Sequence, residues 1–276
     1  MRGPHNILRL IRTGATLERT GAMPVILNAL DAPKTIKFAA RFIVWPFQFL
    51  GRKGDKSLLP APRALTAMGP AYIKFGQILS TRPDVVGPEL AEQLRVLQDR
   101  LPPFSTSVAK QSFKLETGLD ADDVFSHFSE PVAAASIAQV HRGQLRESGH
   151  TVAIKVLRPE IERAFQRDID TFYFAARLVE FVSPKSRRLK PIDVISHFDG
   201  FVQGELDLRL ESASASEFSA NIRNDKGFSV PSINWSLSSR RVMTLDWADG
   251  LPMGDTDALA AAGHNLNELG DRVLHM

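Results

Sequence analysis

A lysine, a glycine and an amide stand together in residues 69–84, an otherwise apolar segment with helical spacing. They form the run Lys74-Phe75-Gly76-Gln77. Burying an unpaired ammonium group is costly, so Lys74 must either reach solvent or meet an anion such as a phosphate or a carboxylate. The alternative is an ordinary lysine whose alkyl stem covers apolar surface while its ammonium group stays in water. The segment is therefore predicted to be a helix that carries a candidate anion-contacting cation.

The composition is that of an ordinary globular protein, with 43% hydrophobic and 24% charged residues. At 276 residues, the chain can bury a sizeable core and form one large or two small domains. It contains no cysteine, which excludes disulfides and thiolate metal sites and agrees with a reducing compartment. Arginines interrupt every apolar run before Ala22, so no secretory signal is predicted.

The first 56 residues are basic, with ten Lys or Arg against three Asp or Glu. Such a leader could meet anionic lipid or nucleic acid, and a solvated arm is the alternative. Nucleic acid is disfavoured because no aromatic stacking residues are interleaved with the charge. The aromatic stretch at residues 42–50 is far shorter than the roughly 20 residues that span a bilayer. It could lie in a membrane interface, with Trp45 at headgroup level beside Arg41, Arg52 and Lys53, or form the end of a core helix.

Composition and periodicity divide the chain into four regions. Residues 1–56 are predicted to be a basic amphipathic helical extension, and residues 57–128 a helical region that contains Lys74. Residues 129–250 begin with alternating β-formers, and residues 251–276 follow them. Helices are predicted at 64–68, 72–79, 88–99, 159–182, 192–222 and 258–274, with two short helices between 105 and 128.

Strands are expected in the third region. Residues 137–143 and 151–157 alternate between apolar and polar side chains, and the turn signal at 147–150 joins them into a hairpin. Residues 230–235 and 241–247 are predicted to form a further pair. The predicted fold class is therefore α+β, with a small antiparallel sheet.

An acidic segment lies at residues 203–211. On a helix, Asp207 and Glu211 would share a face and repel each other by roughly 0.2–0.5 kcal/mol. Lys74, Lys155 or a metal ion would remove that cost. The alternative is an acidic surface helix in which Arg209 reduces the repulsion between the two carboxylates.

Five motifs follow one another in an order that resembles the UbiB family, atypical protein-kinase-like proteins associated with ubiquinone (coenzyme Q) biosynthesis. The resemblance implies a protein-kinase-like N-lobe preceded by a helical N-terminal extension, and it covers most of residues 60 to 250. The motifs are Lys74-Phe75-Gly76-Gln77, residues 87–104, residues 131–141, Val152-Ala153-Ile154-Lys155-Val156 and Glu205-Leu206-Asp207.

The resemblance also implies a site for ATP and Mg²⁺. Ala133-Ala134-Ala135-Ser136 stands where ordinary protein kinases have a glycine-rich turn over the phosphates. Alanine keeps the small size but largely loses conformations with positive φ, so the phosphate geometry should differ. Val140 and Lys155 are implied to line the nucleotide, with Lys155 on its α- and β-phosphates. Backbone groups at Leu245, Asp246 and Trp247 are the implied contacts to adenine.

Two charge pairings follow from the same resemblance. Glu205 and Asp207 are implied to engage Lys74, whose motif also includes Gly76 and Gln77, and Glu211 to pair with Lys155. On the residues alone, a lysine in a strand is more often an edge charge in solvent. The order of the motifs favours the site.

A phosphotransferase also needs a catalytic-loop Asp, a metal-binding Asn and a metal-binding Asp-Gly after the hinge. Residues 251–276 contain none that fits, and Phe198-Asp199-Gly200 precedes the acidic segment and is out of place. We therefore expect a missing C-lobe and a truncated chain, without a catalytic residue or a metal ligand. We expect no nucleotide turnover by these residues alone, and the sequence leaves open whether the chain is an enzyme.

The resemblance implies a role at a membrane. The expected partners are a nucleotide, membrane lipid or quinone-pathway intermediates, and quinone-biosynthesis enzymes, and no nucleic acid is expected. The expected location is cytoplasmic, peripherally associated with the inner membrane. The alternative is a non-catalytic lipid-binding or scaffold pseudokinase fragment.

Overall fold

Helices form the regular structure of the chain up to residue 98, where apolar residues recur at helical spacing. The structure is a computed structural model that describes residues 4–29, 32–98, 102–182, 187–188, 190–225 and 227–274. The helices are α1 Pro4–Thr20, α2 Ala22–Ala29, α3 Lys34–Val44, α4 Pro60–Met68, α5 Pro70–Ser80, α6 Pro83–Val86 and α7 Pro88–Leu94, with 3₁₀ turns at Trp45–Leu50 and Arg95–Gln98. The predicted helix end at Asp99 lies outside the described residues.

Prolines begin the four helices from α4 to α7. A proline in the first turn of a helix lacks only an N–H group that would have no partner there. Gly69 and Gly87 precede α5 and α7 with φ angles of 129° and 80°, which other residues rarely adopt. These breaks let a short stretch of chain fold into several packed helices.

The remaining chain combines helices with a four-stranded sheet in the order β1-β2-β3-β4. The strands are β1 Phe125–Ala134, β2 Ala138–Leu145, β3 Thr151–Leu157 and β4 Val242–Asp246. The helices are α8 Thr106–Thr117, α9 Ala121–Val124, α10 Ile161–Val182, α11 Pro191–Glu205, α12 Leu208–Asn221, α13 Thr256–Ala261 and α14 Leu266–Leu274. The fold is therefore α+β, as the sequence predicts.

The chain forms two compact units. The helical unit contains residues 1–102, 134–138 and 158–203, and the sheet unit contains residues 103–133, 139–157 and 204–276. The core of the helical unit joins apolar side chains of α4, α5 and α7, such as Leu65, Ile73 and Leu94. The core of the sheet unit packs α8 on the strands through residues such as Phe113 and Ile154.

The two faces of the sheet differ in burial. Along β3, Val152, Ile154 and Val156 are buried in the core, whereas Ala153 and Lys155 are less buried. Side chains alternate along a strand, so Lys155 points away from the core that α8 covers. We call the side of the sheet that carries Lys155 the open face.

Three predicted elements differ in the structure. β1 begins at Phe125, inside the stretch predicted to be helical up to residue 128, because that stretch ends in Phe-Ser-His-Phe and joins the sheet. The predicted helix at 192–222 is interrupted between α11 and α12, where Asp207 is extended and caps α12. The predicted last helix is interrupted by Gly263, whose φ is 84°.

Two further expectations can be compared with the described residues. The stretch 230–235 contributes one bridge, between Ile233 and Leu245, instead of a full strand. No helix among the described residues is both long and apolar enough to cross a membrane.

Candidate functional site

Lys155 and Glu211 form an ion pair on the open face of the sheet. The Nζ atom of Lys155 lies 2.7 Å from both carboxylate oxygens of Glu211. Lys155 sits in the middle of β3, opposite Met243 of β4, and Glu211 stands in the first turn of α12, which packs on β4. The partial positive charge at a helix start favours a carboxylate there. The structure therefore brings together the lysine and the glutamate that the family resemblance pairs.

Other predicted residues share this face. Val140 of β2 is half-buried, between the buried Gln139 and His141 of the opposite face. Leu245 lies opposite Ala153, so it stands on the same side as Lys155. The implied nucleotide contacts Val140, Lys155 and Leu245 thus form one surface, and their role in binding stays a prediction.

The predicted adenine contacts at the end of β4 already have partners. The N–H group of Asp246 donates to the Ser232 carbonyl at 3.0 Å, and that of Trp247 to the Thr151 carbonyl at 3.1 Å. The indole N–H of Trp247 donates to Asp249 at 2.8 Å. Adenine would have to compete with these hydrogen bonds, so the contact stays a prediction.

The alanine turn is held by an arginine that the sequence analysis did not single out. The guanidinium group of Arg158 donates to the Ala135 carbonyl at 3.0 and 3.1 Å and to the Pro102 carbonyl at 3.0 Å. Its backbone N–H donates to the Ile137 carbonyl at 2.8 Å, and burial lowers the pKa of its side chain. Arg158 directly follows β3, and nothing in its sequence context distinguishes it from a surface cation.

The backbone of the turn lacks left-handed conformations. Ala133 and Ala134 end β1, and Ser136 is buried after Ala135. Among the described residues, positive φ angles outside glycine occur only at Glu160 and Lys190. The turn therefore keeps to the ordinary backbone conformations of alanine, and its place over the phosphates stays a prediction.

The Lys-x-Gly-Gln motif lies on α5 and is fixed within the helical unit. A Cβ atom on Gly76 would lie 2.5 Å from Leu97 and 2.6 Å from Leu65, so glycine permits the close packing of this helix. The side-chain amide of Gln77 donates to the Leu97 carbonyl at 2.7 Å. The Ser136 hydroxyl donates to the side-chain oxygen of Gln77 over a longer distance, 3.4 Å. The motif thus contacts the alanine turn.

An aromatic cluster positions α5 against α10 and α11. Phe75 lies 5.5 Å from Phe172 and 5.3 Å from Phe198, measured between ring centroids. The ammonium group of Lys74 lies 5.2 Å from the centroid of the Phe201 ring, a distance at which a cation is attracted to the ring face. The motif lysine therefore has an aromatic neighbour that the sequence analysis did not identify.

The acidic residues at the junction of α11 and α12 differ from their predicted arrangement. Glu205 ends α11, and Asp207 caps α12 by accepting the Arg209 N–H at 3.1 Å. Asp207 also accepts from the Arg209 side chain at 2.9 and 2.6 Å, and these bonds lower the pKa of Asp207. The expected repulsion between Asp207 and Glu211 on one helical face is wrong, because Asp207 precedes the helix. The implied pairing of Lys74 with Glu205 and Asp207 stays a prediction.

The donor atoms of the open face fit a nucleotide better than they fit a metal ion. A quarter-exposed ammonium group in mid-strand can donate hydrogen bonds to a phosphate. Mg²⁺ takes oxygen ligands in octahedral geometry. Among the described residues, no group of three or more His, Cys, Asp or Glu is placed to hold a metal ion. The described residues thus offer a cation to a phosphate, and a role for Mg²⁺ stays a prediction.

Comparison with known proteins gives consistent family matches. The model of the ABC1 atypical kinase-like domain matches residues 96–276, a range that contains the whole sheet. A probable protein kinase UbiB of Marinobacter nauticus is 37% identical over 89% of this chain and 44% of its own length. Proteins of the same name from Aliivibrio fischeri and Aeromonas salmonicida are 40% and 39% identical, over 76% and 84% of this chain and 39% and 44% of their own.

These relatives are more than twice as long as the region matched. The chain therefore spans less than half the length of the curated relatives it matches. A solved structure, the complex of Rv3197 with erythromycin from Mycobacterium tuberculosis, aligns with a TM-score of 0.47 and 27% identity over 68% of this chain and 46% of that one. Because the domain match covers the four-stranded sheet, the α+β fold is that of a kinase-like N-lobe with a helical N-terminal region. The chain belongs to the UbiB family of proteins with an ABC1 atypical kinase-like domain.

Proposed function

We propose that this chain binds the phosphate groups of a nucleotide through Lys155, as part of a UbiB-type atypical kinase-like or ATPase-like protein. The whole protein would use ATP in support of ubiquinone biosynthesis at a membrane. The observation that carries the proposal is the ion pair between Lys155 and Glu211 on the open face of the sheet.

The exposure of this pair argues against a mainly structural role. The side chains of Lys155 and Glu211 are 25% and 48% exposed. Pairs that reach solvent contribute only about 0–1 kcal/mol to stability. Both carboxylate oxygens of Glu211 do, however, accept hydrogen bonds from the Lys155 ammonium group, and these bonds fix the position of that ammonium group. A fixed cation on an open face is suited to a phosphate ligand, because less ordering is then needed on binding.

A small residue at the end of β1 supports the same proposal. Ala133 belongs to the same unit as Lys155, and its small side chain would let a ligand approach the strand backbone. Lys155 carries its cation on a rigid strand, which orients a functional group better than a loop does. The proposed roles are thus an orienting cation at Lys155, a positioning carboxylate at Glu211 and a small residue at Ala133.

A membrane surface is proposed as the place of action because of an exposed aromatic segment. In α3 and the 3₁₀ turn after it, Phe38, Phe42, Trp45 and Phe49 are 68–74% exposed, and α3 buries no residue. Lys34, Lys37 and Arg41 lie in the same helix. Aromatic rings beside basic groups suit the interface of an anionic bilayer. This segment also favours the second candidate, a non-catalytic lipid-binding or scaffold protein.

A nucleotide-induced thermal shift of the full chain separates the two candidates. We expect ADP or ATP to raise the melting temperature of the wild type, and Lys155→Met to remove the shift. The fold should tolerate the substitution, because the methionine side chain is nearly as long as that of lysine and the Lys155–Glu211 pair contributes little to stability.

Lys114→Met is the matched control because Lys114 pairs with Asp120 at 2.8 Å elsewhere in the sheet unit. It should keep the nucleotide shift of the wild type. A shift that persists in Lys155→Met would refute the assigned phosphate contact. No shift in the wild type, combined with binding to vesicles, would favour the lipid-binding candidate.

A further inference from the structure

A cavity of about 380 Å³ lies inside the helical unit, and its lining includes no residue of the nucleotide proposal. Its walls come from α1, the segment after the first 3₁₀ turn, the start of α5 and the second turn of α10. Its volume falls within the range of about 300–1,000 Å³ that is usual for small-molecule sites. The cavity is therefore large enough for a small ligand.

Positive charge dominates this cavity. Four arginines line it, Arg9, Arg12, Arg52 and Arg167, and Asp168 is the acid that lines it with them. Within the described part of the chain, none of the four guanidinium groups forms a salt bridge. Like charges held close together repel, and a bound anion would remove that cost.

Three of the four arginines are oriented by the backbone. Arg9 donates to the Arg167 carbonyl at 2.9 Å, Arg167 donates to the Arg163 carbonyl at 3.1 Å, and Arg52 donates to the carbonyls of Ala67 and Met68. A guanidinium group has five N–H donors, so these bonds leave others for a ligand. The side chains of Arg9, Arg52 and Arg167 are thus held in place before a ligand binds.

Hydroxyl groups make the cavity wall rigid. The Tyr72 hydroxyl lies 2.9 Å from that of Thr13, which joins α5 to α1. Thr16 accepts the backbone N–H of Arg52 at 3.1 Å and donates to the Arg12 carbonyl at 2.8 Å. A rigid wall with fixed cations is what preorganised binding requires.

We propose that this cavity is a binding site for a phosphate-class anion, a phosphomonoester or a diphosphate, held by Arg9, Arg12, Arg52 and Arg167. Guanidinium groups form paired hydrogen bonds with phosphate oxygens, and several of them can surround one tetrahedral anion. The anion is either a free small molecule or the head group of a lipid, since both present the same chemistry. The site contains none of the residues proposed to bind the nucleotide, and it goes beyond the proposed function.

The test measures inorganic pyrophosphate binding to the full chain by calorimetry, in the Lys155→Met background so that the proposed nucleotide contact does not contribute. We expect Arg12→Gln with Arg167→Gln to weaken binding at least tenfold. Arg163→Gln is the matched control, because Arg163 lies on the same helix as Arg167 and its exposed side chain pairs with Glu160, just before that helix. Binding should be unchanged. Asp168→Asn removes the one negative charge of the wall and should strengthen binding several-fold.

A second arm distinguishes the source of the phosphate. Co-sedimentation measures how much of each variant of the chain binds to phosphatidylcholine vesicles that contain or lack phosphatidic acid. Pyrophosphate binding that the double substitution weakens supports a free anion. Vesicle binding that depends on phosphatidic acid and is weakened by the double substitution but not by Arg163→Gln supports a lipid head group. The proposal is overturned if neither probe binds, or if the double variant, folded by circular dichroism, binds both probes as tightly as the control does.

Discussion

Lys155 differs from the surface lysines of its unit because its position in β3 determines the side of the sheet to which its side chain points. Its neighbours Ile154 and Val156 are fully buried, and the alternation of β3 turns the ammonium group to the other side. One residue of slip in the register would bury the charge, which is unfavourable, so the hydrophobic pattern fixes its position. The hydrophobic pattern of the strand thus predicts the direction of the Lys155 side chain, and its role at a phosphate stays a prediction.

Asp168 allows a prediction about pH at the scale of one residue. Burial raises the pKa of Asp168 to about 6, although Arg9, Arg167 and Arg52 oppose the shift. Arg12 and the neutral Tyr72 also line its cavity. The carboxylate is therefore less favourable in the folded chain than in the unfolded one, where the pKa is near 3.8. The contribution of Asp168 to the free energy of unfolding is highest below about pH 4, falls as the pH rises to about 6, and stays constant above that.

We therefore expect Asp168→Asn to raise the free energy of unfolding at pH 8 by about 1–3 kcal/mol, since one pKa unit corresponds to about 1.4 kcal/mol. At pH 4 the gain should be close to zero. Urea unfolding at both pH values measures the difference, with Asp170→Asn on the same helix as the control. An equal gain at both pH values would contradict the account.

At the scale of elements, the break between α11 and α12 decides where Glu211 stands. Asp207 caps α12, and Glu211 follows in its first turn. Replacing Asp207 with Ala removes the cap and should lower the free energy of unfolding by about 0.5–2 kcal/mol. Asp207→Asn keeps an acceptor for the Arg209 N–H and should cost much less. Urea unfolding of both variants tests this, and equal losses would show that the cap is not what Asp207 contributes.

The alanine turn depends on Arg158. Arg158→Gln removes the bonds to the Ala135 and Pro102 carbonyls, which both belong to exposed residues. A hydrogen bond of this kind contributes about 0.5–1.5 kcal/mol, because water can replace the lost donor. We expect faster amide hydrogen exchange around Ala135 and a lower free energy of unfolding. Arg163→Gln, an exposed arginine, should change neither. Exchange at the turn as slow in Arg158→Gln as in the wild type would contradict the assigned contact.

The sequence predicts elements well where local pattern decides them, and less well where distant contacts do. Alternation predicts β2 and β3, and the apolar spacing of residues 60–98 predicts helices. The start of β1 is missed because its pairing with β2 outweighs the weak pattern of residues 125–128. The break at Asp207 is missed because a cap and a mid-helix acid look alike in a continuous apolar pattern. Arg158 and the four cavity arginines gain their roles only from folding, since each is an unremarkable cation in the sequence.

At the scale of the whole molecule, the exposed aromatic segment predicts membrane association. Trp45→Ser with Phe49→Ser should weaken binding to vesicles of phosphatidylglycerol and phosphatidylethanolamine about tenfold or more, because burying one aromatic side chain contributes about 1.5–3 kcal/mol. Phe181→Ser is the control, since Phe181 is 80% exposed elsewhere in the helical unit. Co-sedimentation measures the change. Equal loss in the control variant would mean that general surface hydrophobicity, and not this segment, drives binding.

The central claim is that Glu211 holds Lys155 for a nucleotide phosphate, and a double-mutant cycle on nucleotide affinity tests it most directly. Calorimetric titration of ADP into the full chain should give binding that Lys155→Met weakens at least tenfold, since hydrogen bonds to charged groups contribute about 1.5–3 kcal/mol. Glu211→Gln should weaken binding in the wild type but cause no further loss in Lys155→Met, because its effect passes through the lysine. Wild-type affinity in Lys155→Met, or independent effects of the two substitutions, would contradict the account.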